Sequence, residues 1–278
     1  MTTYLVVPGQ VIAEGDDFLR GHGTYVEKLK DTERLVASVC GHVERVNKLV
    51  SVIPVASNLY QGQVGDLVVG RVVGIQATRW KVEIGDSCRY AVLPLSGVHL
   101  PGGVQRVRTQ EDSREMRLLF QEGDLVTAEV HNMHQDGTLM LHTRSLKYGK
   151  VENGCLVVVP PSLIARRKNH FCDVDGITLL LGMNGFIWIQ RSFPKSEDTQ
   201  LAEHQEKMKI QHARTSVLLD ERQKIARIRN SIQCLGIVHL MATPENIELV
   251  YRASQAIPIA DMLHPDNVLF LTIALLKK

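Results

Sequence analysis

Aromatic residues are scarce, at 5% of the chain, and the five cysteines never fall into a C-x-x-C pair. Cys40, Cys88, Cys155, Cys172 and Cys234 are scattered and odd in number. That pattern argues against a disulfide framework or a structural zinc site and suits a reducing compartment. Excess charge is missing too: 32 basic against 30 acidic side chains leave a net +2. A protein that coats long duplex non-specifically is more basic than this, so the balance allows a local nucleic-acid surface without demanding one. No clean apolar run approaches the ~20 residues of a membrane span. Pro8, Gly9 and Gln10 stand where the apolar centre of a secretory signal belongs. There is no G-x-x-x-x-G-K-[ST], no G-x-S-x-G and no carboxylate pair at metal-ligand spacing, so no residue set proposes an enzyme, a cofactor or a metal. The expectation is a soluble, non-membrane protein of the cytosol or nucleus.

What is present is a succession of short strands. A chain of 278 residues built this way is expected to divide into two or three domains. The fold class expected is multidomain and mainly β, with an α+β domain at the C-terminus. Residues 1–61 read as a small β lobe: Tyr4-Leu5-Val6-Val7 before the Pro8-Gly9 turn, then Val11–Ala13, Arg34–Val39 and Leu49–Val55. Within it, Arg20-Gly21-His22-Gly23 is either a plain tight turn or a docking loop presenting Arg20 and His22 to a partner.

Residues 62–150 read as a five-stranded closed barrel. Its strands start at Gly65-Asp66 and Gly123-Asp124, and its last hairpin turns at Asp136-Gly137. Glu111–Phe120 is helix-capable and lies between the third and fourth strands, as in oligonucleotide-binding barrels. On strand two, Trp80, Val82 and Ile84 alternate with Arg79, Lys81 and Glu83. Trp80 therefore reads as a core residue or as a stacking platform, with the core favoured, and Arg79 and Lys81 face outward. Such barrels hold single strands by stacking bases on aromatics and tracking phosphates with Lys and Arg. The phosphate candidates are Arg79 and Lys81, Arg71 as a weaker third, and Arg106 and Arg108 on a glycine-rich loop. Eleven basic against ten acidic side chains between 65 and 150 predict weak binding by this barrel alone. His131 and His134, three apart on a strand, point to opposite faces and do not suit a metal.

Residues 151–278 read as an α+β domain with a polar insertion near 192–216 and a helical tail. Asp220 and Thr243 are the expected helix N-caps, with Pro244 opening the second helix. Arg166-Arg167-Lys168 is a solvated basic face or a contact for RNA or an acidic partner. Gly182-Met183-Asn184-Gly185 carries no Lys or Arg and runs into the strand-like Phe186-Ile187-Trp188-Ile189, so a buried hairpin turn is favoured over a phosphate clamp. The tail from Val268 is a docked helix or a partner-binding segment.

Several stretches together carry a family resemblance. Val64–Val72, Gly123–Val130 and Leu139–Leu146 resemble an S-one-type RNA-binding barrel. Leu181–Ile189 resembles the modified KH domain found beside such barrels. With Pro8-Gly9, Arg20–Tyr25, Gly41–Leu49, Leu100–Gly103 and His142–Lys150, the chain resembles the ribosomal-RNA-processing protein four family of eukaryotic RNA exosome cap subunits. The match covers most of residues 4–191. The resemblance implies a non-catalytic subunit whose N-terminal lobe docks on RNase-PH-like ring subunits beside other cap subunits. Its barrel would face the entrance pore, with the KH-like domain at the periphery; the residues themselves make Gly182, Asn184 and Gly185 a structural turn. It would guide single-stranded RNA toward a catalytic nuclease held elsewhere in the assembly, in ribosomal RNA maturation and decay. The expected locations are nucleus, nucleolus and cytoplasm. An exoribonuclease acting alone and a free translation-linked RNA-binding module remain as alternatives.

Overall fold

The computed structural model describes residues 4–15, 17–29, 32–54, 60–85, 90–98, 109–134, 137–145, 147–192 and 215–276. The chain forms two compact units, Met1–Asn58 and Leu59–Lys278.

The first unit contains β1 (Leu5–Val6), β2 (Val11–Glu14), β3 (Leu19–Arg20), β4 (Thr24–Leu29), β5 (Thr32–Ala37), β6 (Gly41–Val46) and β7 (Leu49–Pro54), and no helix among the described residues. They make two sheets, β1-β6-β7-β3 and β2-β5-β4, with β3 parallel to β7. Alternation along β6 and β7 sends Val43, Val50 and Val52 into a core with Val6, Ile12, Leu35 and Ala37. The backbone after β3 hugs β7: the Gly21 N–H donates to Val50 O at 2.9 Å and the Val52 N–H to His22 O at 2.8 Å. A Cβ on Gly21 would stand 2.5 Å from Val50 O, so glycine is needed here for close approach.

The second unit begins with the barrel: β8 (Leu67–Gln76), β9 (Arg79–Glu83), β10 (Tyr90–Pro94), α1 (Gln110–Arg114), α2 (Met116–Leu119), β11 (Leu125–Met133) and β12 (Leu139–His142). The strand order β12-β10-β9-β8-β11 is closed by pairing of β11 with β12. The helical excursion lies between the third and fourth strands, as the sequence predicts for this class. Inward residues from every strand fill the core: Val68, Val72, Trp80, Val82, Ala91, Leu93, Val126, Val130 and Leu141. Thr109 and Asp112 form a capping box at the start of α1, and Met116 and Phe120 add to the same core. Beyond the closed ring, β13 (Gly149–Val151) pairs with the start of β11.

The chain then forms an antiparallel sheet from β14 (Gly154–Val158), β15 (Phe171–Val174), β16 (Ile177–Leu181) and β17 (Phe186–Arg191), in the order β14-β17-β16-β15. Helices α3 (Leu219–Ile237) and α4 (Pro244–Ala253) pack on it, and α5 (Pro265–Leu276) packs against these two helices. Both faces of β16 and β17 are apolar because both are covered. Leu179, Leu181, Ile187 and Ile189 share a core with Ile228, Ile232 and Leu235 of α3. Leu180 and Trp188 meet Leu67 and Val69 of β8 on the opposite side. Thr243 caps α4, accepting from the Asn246 N–H at 3.3 Å, and Pro244 is the first helical residue. The expected cap of α3 is corrected: the helix starts at Leu219, so Asp220 lies inside its first turn, and Glu221 reaches back to accept from the Leu218 N–H at 3.1 Å. The tail is a helix docked through Val268 and Leu271, with Leu269, Phe270 and Ile273 exposed. Most of the polar insertion near 192–216 lies outside the described residues.

The barrel and this sheet are joined through Gly182-Met183-Asn184-Gly185, the turn between β16 and β17. Strand β9 ends at Glu83, and beyond it the edge of β8 loses its ladder partner. The turn takes over. The Met183 N–H donates to Leu67 O at 2.8 Å. The Asn184 side chain accepts from the Val69 N–H at 3.3 Å and donates to Val69 O and Ile84 O, both at 2.7 Å. Asn184 is 2% exposed, so its amide does the work of a buried backbone unit. Gly185 holds φ at +87°, and a Cβ there would lie 2.1 Å from Val159 O. Asn184→Ala strands three buried backbone groups at ~1–3 kcal/mol each, so equilibrium denaturation should show a loss of at least ~3 kcal/mol. Asn184→Asp should be no better, because a carboxylate cannot donate to two carbonyls. A loss below about 1 kcal/mol would remove this joint from the account.

Candidate nucleic-acid interface

The outer surface of the barrel divides into sectors. The sheet β14-β17-β16-β15 covers Leu67 and Val69 of β8, and Leu125, Tyr148 and Val151 pack into the same contact. The outer faces of β9 and β10 lie outside that contact cluster. There, alternation turns Trp80, Val82, Ala91 and Leu93 inward and Arg79, Lys81, Tyr90 and Val92 outward.

The basic candidates fall as follows. Arg79 is exposed and hydrogen-bonds Gln76 Oε1. Lys81 places Nζ 3.5 Å from the centre of the Tyr90 ring. The two residues are diagonal neighbours, since Tyr90 pairs with Glu83 and Lys81 with Val92. Tyr90 is 39% exposed. Arg71 is exposed on β8, in register with Glu83 on one side and Leu125 on the other. Arg106 and Arg108 lie outside the described residues. A cation resting on an exposed tyrosine combines the two elements that hold a single strand, a phosphate partner and a ring for a base. Tyr90 is absent from the sequence-based candidates, although the alternation Tyr90, Val92, Pro94 against Ala91, Leu93 marks it as outward.

Trp80 is not a stacking platform. It is fully buried, with its Nε1–H donating to Phe120 O at 3.1 Å and its ring edge-on to Phe120 at 5.3 Å. The Gly182–Gly185 turn has little left for a phosphate. The Gly182 N–H donates to Phe186 O, the Met183 N–H to Leu67 O and the Gly185 N–H to Gly182 O.

The basic triplet is largely engaged. Arg166 bridges to the buried carboxylate of Asp66 and to Gln63 Oε1. Arg167 makes a forked pair with Glu245 at 2.8 and 2.9 Å, while Lys168 is exposed. Asp66 also accepts from the Tyr60 hydroxyl and the Gln63 N–H, each at 2.9 Å. Burial, with Asp66 adding to it, pushes the Tyr60 phenol well above its ordinary range. These contacts bind the segment around 166 to the foot of the barrel.

In the first unit, Arg20 Nε donates to Thr24 O at 3.2 Å, and the His22 side chain is exposed. Leu5 and Ile53 flank His42 on one row of the outer sheet face, and Val46, Leu49 and Leu19 form another. All five aliphatics are exposed, at 42–62%. His131 and His134 do not pair; His131 instead meets His142 across the β11–β12 hairpin, with ring centres 5.5 Å apart. Among the described residues, no group of three His, Cys, Asp or Glu is placed to hold a metal.

Comparison with known proteins yields three family matches. Residues 59–132 match the RRP4 S1 domain, residues 5–46 the N-terminal region of "exosome complex exonuclease RRP4", and residues 154–195 a KH domain. The mouse protein "Exosome complex component RRP4" is 45% identical over 95% of this chain and 86% of its own length. The fission-yeast protein "Exosome complex component rrp4" is 38% identical over 95% of this chain and 80% of its own. The Arabidopsis protein "Exosome complex component RRP4 homolog" is 40% identical over 93% of this chain and 82% of its own.

Replacing Arg79 and Lys81 together with Ala should weaken binding of single-stranded RNA and flatten its salt dependence by about 0.7 in logarithmic slope per lost phosphate contact, with the barrel still folded. Tyr90→Ala should cost ~1–3 kcal/mol of affinity with little change in that slope. Titrations of a labelled oligonucleotide at several salt concentrations check both, and an unchanged affinity in the double variant would exclude this face.

Proposed function

The chain belongs to the RRP4 family of exosome complex components, and on that footing we propose that it is a non-catalytic RNA-binding cap subunit of the exosome. In this role it stabilises a ring of RNase-PH-like subunits, sits beside other cap subunits and guides single-stranded RNA into the pore. A nuclease elsewhere in the assembly then processes or degrades the strand 3′→5′, ribosomal RNA precursors included. The observation that carries the reading is Lys81 over the exposed Tyr90, on a barrel sector left outside the contact with the KH-like sheet. The near-neutral barrel supports a shared grip, since one net positive charge attracts a polyanion weakly and several subunits around one pore attract it together.

The first unit suits the docking role. Leu5, Leu19, Val46, Leu49 and Ile53 leave an apolar outer face on a small lobe, and an exposed apolar patch of this kind marks a protein interface. Arg20 and His22 follow Leu19 at its edge and would supply polar contacts. The proposed sites of action are the nucleus, the nucleolus and the cytoplasm.

Two measurements test the proposal. Purified full-length chain incubated with labelled single-stranded RNA and Mg²⁺ should leave the RNA intact; sustained turnover would overturn the non-catalytic role in favour of an exoribonuclease. Tagged protein from cell extract should elute in a large assembly, and Val46→Asp with Leu49→Asp should shift it toward the free chain. Elution of the unaltered protein as a free monomer would instead support a module that works outside any ring.

A further inference from the structure

The outer surface of the barrel continues past Tyr90. Strand β12 runs parallel to β10, with Met140 beside Val92. On its other side β11 places Glu129 opposite His142 and Asn132 opposite Met140. The register slips between Val130 and Asn132, so His131 is the extra residue of a β-bulge. A bulge re-aims the side chain it carries, and here the His131 ring comes to 5.5 Å from His142 with the planes at 62°. His131 is exposed and His142 half-buried.

Burial favours the neutral form of the His142 ring. Its Nδ1 is buried and has no hydrogen-bond partner, so protonating both nitrogens would leave an N–H unpaired in the interior. Burial lowers its proton affinity; His131 and Arg144 act in the same direction and Glu129 against it. An imidazole on the barrel surface, with a second ring against it, offers a π-face that stacks on any base. Following β10 and then β12 from Tyr90, the pair lies on the order of 14 Å away, a few nucleotides along an extended strand.

We propose that His131 and His142 form a second base-stacking subsite for single-stranded RNA, downstream of Lys81 and Tyr90 on the same outer face. The proposal rests on the RNA-binding reading of that face and extends it from one contact to a path. The first contact takes a base and a phosphate; the second takes a base farther along.

The test compares oligoadenylates of about three and about eight nucleotides, within and beyond the reach of the first contact, by anisotropy titration of the full-length chain. The unaltered protein should bind the longer one at least about tenfold more tightly, as one added stack implies. His131→Ala, at an exposed position that folding tolerates, should remove that gain and leave the short oligonucleotide's affinity unchanged. His131→Phe, which keeps a ring there, should retain the gain. If the length gain survives in His131→Ala, or if His131→Phe loses it as fully as Ala, the subsite is overturned while the first contact stands. If the unaltered chain binds neither oligonucleotide, or Tyr90→Ala changes neither affinity, the RNA-binding reading itself fails.

Discussion

The side-chain amide of Asn184 stands in for a missing strand. Where β9 stops, β8 would present an unpaired N–H and carbonyl to the protein interior, and both would be costly to bury. A turn from another sheet fills the gap with one carboxamide, which accepts from and donates to the same residue, Val69. The glycines around it follow from that demand. Gly185 adopts a positive φ and lies where any Cβ would strike Val159 O, and Gly182 closes onto Phe186 O. The apolar contact of Trp188 and Leu180 with Leu67 and Val69 packs beneath the same joint, and Gly154 leaves room for the Trp188 ring, which a Cβ would approach to 2.6 Å.

This joint decides which barrel surface remains for a ligand. One sector of β8 and β11 is spent on the neighbouring sheet, and Arg166 ties the foot of the barrel to the same body through Asp66. The outward residues of β9, β10 and β12 and the bulged end of β11 lie beyond it, and they carry the lysine, the tyrosine and the two histidines. The turn that resembles a phosphate-binding loop contributes through its rigidity, since three of its four backbone N–H groups already have partners.

Much of this was legible in the chain because it rests on short-range patterns. The paired Gly-Asp starts, the Asp136-Gly137 turn and the alternation through Trp80, Val82 and Ile84 mark strands and faces within a few residues. The missing Lys and Arg in Gly182–Gly185, and the β-branched run after it, point to a buried turn. What was hidden depends on contacts distant in sequence or on irregular registers. Nothing near Arg166 announces Asp66, a hundred residues away, as its partner. The contact of His131 with His142 joins two strands across a one-residue slip in register that no residue pattern announces. Asp220 looks like a helix cap by residue type, yet the chain enters α3 through Leu218 because Glu221 reaches back to its N–H. Tyr90 was within reach of the pattern, since the alternation that sends Ala91 and Leu93 inward turns it outward.

The Asn184 contact spans 115 residues of sequence, and that separation has a consequence during synthesis. Chains emerge from the ribosome N-terminus first, at ~5–20 residues per second. For several seconds, then, the barrel strands are available while the turn that completes β8 is still being made. Until residue 184 emerges, the nascent barrel carries an open strand edge flanked by Leu67 and Val69, the kind of template on which other chains pair. The protein is therefore most exposed to misassembly in the interval before its last sheet arrives, and a chain that ended after the barrel would keep that edge permanently.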